Sequence, residues 1–267
     1  MIKEIYKELF EKKHFVILII FLIIYSEIFL QFNAVVGFVL YSFLIAMCLL
    51  SLSHHKYLNN YSKLIIVLMI VPIVRLTELF LSLDFLWKLV VSYSILLFLS
   101  FYYSVRFKLD HGHKKGSLAF MPIAIIFGIA IGFAGKYFFS FQMPSWIIFF
   151  IPVITYSEEI LFRGMLQNLM KEGYGASFAV IISTGLYAIF SLSYGIVFAG
   201  FIFLAGLFIG IVYNYSKNIF GATLMNFLMH LGLFQGWMLG VWLGWWRGEG
   251  EIYFLESFLN WSYFSVT

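Results

Sequence analysis

The sequence predicts an all-α fold, a polytopic transmembrane helical bundle of eight or nine spans, and three observations carry that prediction. Of 267 residues, 63% are apolar and only 11% charged, a balance far outside the range of soluble domains. The apolar residues gather in runs close to the roughly 20 residues that a helix needs to cross a bilayer. The connections between runs are short, and their cations fall mainly on alternate ones, as the positive-inside rule requires.

Taken in order, the runs are 14–33, 35–53, 63–83, 85–105, 117–138, 146–170, 176–194, 196–215 and 219–241. The count falls to eight if the first or the last lies in the interface. The lead-in MIKEIYKELFEKKH is amphipathic and basic; no small-residue cleavage site follows it, so it is expected to be retained. Residues 1–116 form an N-terminal membrane region of about four spans, 117–245 a core bundle, and 246–267 an aromatic-rich tail expected at the interface. The longest polar connection, 106–116, is too short for a soluble domain.

With a cytoplasmic N-terminus, one side collects Lys3, Lys7, Lys12, Lys13, Lys56, Lys63, Arg106, Lys108, Lys114, Lys115, Lys171 and Lys217. The other keeps Lys88, Lys136 and Arg247, all near span ends. This reading places the protein in the plasma membrane and uses the net charge of +4 as a topology signal. Nucleic acid is not an expected partner, because the cations are scattered with no stacking platform beside them. The single Cys48 allows neither an internal disulfide nor a thiolate cluster.

Against this apolar background, Glu158, Glu159 and Arg163 stand near the middle of the sixth run. Each such charge costs roughly 3 kcal/mol at mid-bilayer on insertion scales. Glu159 and Arg163 are four apart on one helix face, acid first, the favourable order for a pair. Glu158 points about 100° away and has no partner on its own helix. It is either a structural glutamate bonded to a neighbouring helix or a general base or acid.

Two later runs hold polar groups at comparable depth. Tyr187 and Ser191 are four apart in the seventh, as are Asn226 and His230 in the ninth. Counted at 1.5 Å per residue from the cytoplasmic ends, Glu158, Ser191 and His230 reach roughly 20 Å and Asn226 only about 12 Å. The first three are therefore expected to converge. His14, His54, His55, His111 and His113 lie in or beside loops, which leaves His230 as the one histidine well inside the bilayer. Arg75 and Glu78, three apart in the third run with Pro72 nearby, are read as a structural pair, with lining of a polar cavity as the alternative.

These residues carry a resemblance. Glu158-Glu159-Ile-Leu-Phe-Arg163-Gly164 is similar to the EExxxR motif of the CPBP family of intramembrane proteases, also called the Abi or CAAX prenyl protease family, and the likeness extends over about 146–237. The resemblance implies a helical bundle around a water-filled cavity, with Glu158 activating a water, Glu159 as its companion and Arg163 holding the pair. It also implies histidines that position this water or bind a divalent metal. Where the family carries FxxxH, this chain has Tyr187 and Ser191; where it carries HxxxN, Asn226 precedes His230. Ser191, Asn226 and His230 are the remaining candidate site residues, and zinc, if present, would take Glu158 and His230 as ligands.

The function implied is an intramembrane endopeptidase acting on a membrane-associated or lipid-modified peptide within the lipid bilayer. The alternative is a catalytically silent relative that serves as scaffold, chaperone or immunity factor for a client membrane protein. A proton-coupled carrier is a third reading, since buried Glu, Arg and His also suit relays. No paired, interrupted spans in corresponding halves accompany it.

Overall fold

The computed structural model describes residues 12–53, 61–109, 120–138, 147 and 149–242, and within them the fold is helical with no strand. The helices are α1 (Lys12–Phe32), α2 (Ala34–Ser53), α3 (Ser62–Phe80), α4 (Phe85–Phe107) and α5 (Met121–Phe138). A composite rod follows, made of α6 (Ile151–Glu159), a π-helical segment (Ile160–Gln167) and α7 (Asn168–Tyr174). After it come α8 (Ala176–Phe190), a 3₁₀ turn (Leu192–Tyr194), α9 (Ile196–Ser216) and α10 (Ile219–Trp242). Each predicted run overlaps a helix or, for 146–170 and 176–194, a succession of helical segments. Of these, α1, α2, α4 and α9 are long and apolar enough to cross a bilayer. The apolar stretches of α5, α8 and α10 are shorter.

The breaks between rods have local causes. Asn33 separates α1 from α2, and its Oδ1 accepts hydrogen bonds from the amides of Val35 and Val36, satisfying donors that a helix start leaves open. Gly175, at φ 88°, makes the turn between α7 and α8, and Gly195, at φ 107°, the one between the 3₁₀ turn and α9; a side chain rarely adopts this backbone. Ser191 lies just beyond the last residue of α8, so the predicted 176–194 span is not one continuous helix.

The composite rod is packed against by α3, α4, α8 and α10. Every residue of its π-helical segment is buried. One apolar core runs from Phe15 in α1 to Leu233 in α10, and α1, α3 and α4 pack directly on the later helices. Large apolar side chains such as Phe32, Phe80, Phe98, Phe149 and Ile196 point outward, the pattern of a bundle whose outer solvent is lipid. The boundary expected at 116/117, the N-terminal lead-in over residues 1–11, the tail 246–267, and His54, His55, His111 and His113 lie outside the described residues.

Candidate active site

Glu158 and Glu159 close α6, and the chain then widens into the π-helical segment that contains Arg163. A π-turn shifts side-chain register relative to an α-helix and recurs at functional sites. The pairing expected on this rod forms: Arg163 Nη1 lies 3.3 Å from Glu159 Oε1 with both side chains fully buried. Arg163 Nη2 donates to the carbonyl of Gly206 on α9 at 3.1 Å, and its guanidinium lies 4.7 Å from the ring centre of Tyr187. Thr184 donates to the same Gly206 carbonyl at 3.2 Å. A Cβ on Gly206 would stand 2.9 Å from Thr184 Cγ2 and 3.0 Å from Arg163 Nη2, so the absence of a side chain there lets α9 approach this closely.

Glu158 finds its partners on three other helices. Its Oε1 accepts from the Tyr93 hydroxyl of α4 at 2.8 Å, while its Oε2 accepts from Tyr187 of α8 at 2.9 Å and from Asn226 Nδ2 of α10 at 3.0 Å. Asn226 Nδ2 also donates to Glu159 Oε1 at 2.8 Å. One amide thus bridges both carboxylates, one hydrogen to each. This fixes the amide orientation, because the flipped form would set an oxygen against two acids. Glu158 is 2% exposed. Glu159 Oε2 and Arg163 Nε are buried without a hydrogen-bond partner.

The seventh and ninth runs do deliver groups to Glu158, but through Tyr187 and Asn226. Ser191 donates to the carbonyl of Tyr187 at 3.1 Å, and His230 Nδ1 lies 3.0 Å from the carbonyl of Asn226. These contacts are with their own helices. Asn226 lies deeper than a residue count from upright helices with level cytoplasmic ends predicts; an offset of roughly 8 Å, about five residues of rise, closes the gap.

Tyr93 is the contributor that the sequence reading missed. Its only signal is the Ser92-Tyr93-Ser94 interruption midway along an apolar run, on helices that carried no motif. The pair read at Arg75 is larger than expected as well. Arg75 Nε donates to Glu27 of α1 and Nη1 to Glu78, each at 2.5 Å, and Nη2 donates to the carbonyl of Phe190.

A catalytic zinc takes three protein ligands of His, Cys or carboxylate type. Among the described residues, no group of three His, Cys, Asp or Glu side chains that could hold a metal is found. Hydroxyl and amide protons face both oxygens of Glu158 where a cation would need lone pairs. Glu158 and His230 alone supply two of the three ligands such a centre takes.

The family model described as type II CAAX prenyl endopeptidase Rce1-like matches residues 139–232. No curated protein and no solved structure matches the chain. The matched stretch contains Glu158, Glu159, Arg163, Tyr187, Asn226 and His230, and it excludes Tyr93 and Arg75. Over residues 139–232 the chain therefore carries an Rce1-like domain of the CPBP/CAAX protease family.

Proposed function

We propose that the protein is an intramembrane endopeptidase that hydrolyses a peptide bond in a membrane-associated substrate, with Glu158 as general base. The N-terminus is placed on the cytoplasmic side of the plasma membrane. The observation that supports this reading most is the hydrogen-bond count at Glu158. A carboxylate offers about four lone-pair sites, and Tyr93, Tyr187 and Asn226 occupy three of them. The fourth, on Oε1, is free to accept a hydrogen from a water.

Glu158 would take that proton as the water oxygen bonds to the scissile carbonyl carbon, then return it to the departing amine nitrogen as the C–N bond breaks. Charge developing on the carbonyl oxygen needs a donor fixed in advance. The Tyr93 hydroxyl, now directed at Glu158 Oε1, would supply it by turning its single hydrogen from Glu158 to that oxygen as the carboxylate takes the proton of the water. Asn226 and the Arg163 pairing hold the second carboxylate, Glu159, beside the first.

A second reading has its own support. Glu158 is nearly sealed, all its donors are neutral, and both motif histidines of the family are replaced, which suits a silent relative that binds a client protein. Glu158→Gln separates the two. Membranes from cells producing the wild-type protein are expected to show new peptide C-termini by mass spectrometry that are absent with Glu158→Gln. The same set of C-termini with both proteins would reject the peptidase and leave the client-binding role.

A further inference from the structure

Arg75 lies on α3, outside the matched segment, and its guanidinium joins three helices. Glu27 of α1 and Glu78 of α3 hold two of its nitrogens, and the third donates to the Phe190 carbonyl at the end of α8. Its planar face lies 4.3 Å from the centre of the Phe190 ring. Arg75 is 5% exposed and Glu27 fully buried. Taking Arg75 and Glu27 out of water costs several kcal/mol per ion before pairing offsets it. A simple helix staple could be made more cheaply from apolar side chains.

What this arrangement fixes is Phe190. The Phe190 ring also packs edge-on against Tyr93 at 6.4 Å and lies 6.1 Å from Phe162. Tyr187 precedes Phe190 by three residues on α8, so a rotation of the helix end at Phe190 moves Tyr187 with it. Two of the three donors on Glu158 are therefore referred to one ring and one carbonyl, and Arg75 grips both. We infer that Arg75, clamped by Glu27 and Glu78, is a positioning residue that sets Tyr93 and Tyr187 on the Glu158 carboxylate through Phe190.

This inference rests on reading Glu158 as the reacting carboxylate, yet its test needs no substrate. The Glu158 carboxyl band is isolated in the infrared difference spectrum between wild-type and Glu158→Gln protein, each as the full chain in lipid nanodiscs. Tyr187→Phe, which removes one donor, gives the direction in which that band moves when a hydrogen bond is lost. Removing Arg75 alone would strand the buried Glu27 beside the partly exposed Glu78, so the main variant is Glu27→Gln/Arg75→Met/Glu78→Gln, which removes all three charges together. The second is Arg75→Lys, which keeps one charge but has neither the planar fork nor the stacking face.

In both variants the Glu158 band is expected to move in the Tyr187→Phe direction, less far in Arg75→Lys. A folded triple variant with the band at its wild-type position overturns the inference. Should the triple variant fail to fold, an unmoved band in Arg75→Lys does the same. Because the band is read on resting protein, its result is separate from the appearance or loss of cleaved peptides in the Glu158→Gln experiment.

Discussion

Asn226 donates one amide hydrogen to each of two carboxylates, and no other natural side chain of its size offers two hydrogens from one nitrogen with no charge of its own. Hydrogen bonds to charged groups contribute about 1.5–3 kcal/mol each, and they do not add in full when they share a donor group. Asn226→Ala should therefore cost about 2–4 kcal/mol of stability. Asn226→Asp should cost more, since it sets a third acid against Glu158 and Glu159. Chemical denaturation in detergent would measure both, and equal losses would argue against the bridging role. The residues of this site were legible in the sequence as types: two acids, an arginine and polar groups on later helices. The choice of Asn226 and Tyr187 over His230 and Ser191 was not legible, because it depends on helix tilt and on where each helix starts, which a residue count cannot supply.

Between elements, what the sequence could not state was how close two helices come. Gly132 of α5 and Gly232 of α10 meet with no side chain between them, and a Cβ on Gly232 would stand 2.7 Å from the Gly132 Cα. That neighbour is backbone, so the helices themselves would have to separate. Inside a bilayer no hydrophobic effect drives helices together, and close contact of small residues takes its place. Gly232→Val is accordingly expected to lower stability by about 1–3 kcal/mol, the usual cost of overpacking, as read from the detergent denaturation midpoint. Gly185→Ala serves as the control, because a Cβ there meets nothing within 4 Å. Existence and order of the rods were readable from apolar length alone. The π-helical widening after Glu159 was not, since Ile160–Gln167 has the composition of any buried helix and its geometry comes from its neighbours.

At the scale of the whole molecule, four contacts bring the cations of separate connections to one end of the bundle. Lys63 at the start of α3 lies 5.8 Å from the ring centre of Phe107 at the end of α4. Tyr61, just before α3, meets Tyr174 at the end of α7 with ring centres 6.2 Å apart. Lys171 and Lys217, on either side of α8 and α9, both donate to Asn214 Oδ1, at 3.1 and 3.3 Å. The alternation counted along the sequence is thus matched in space: Lys63, Arg106, Lys171 and Lys217 belong to the same end, and Asp84 starts α4 at the other. With 23 residues, α4 is about 34 Å long and can span the roughly 30 Å hydrocarbon core unaided, so its two ends report opposite sides of the membrane. Asp84 and Arg106 are both exposed, whereas Cys48 is buried. In a Cys48→Ala background, a membrane-impermeant maleimide should label Asp84→Cys on intact cells and Arg106→Cys only after permeabilisation. The reverse pattern would invert the proposed orientation, and labelling of both from outside would mean that α4 does not cross.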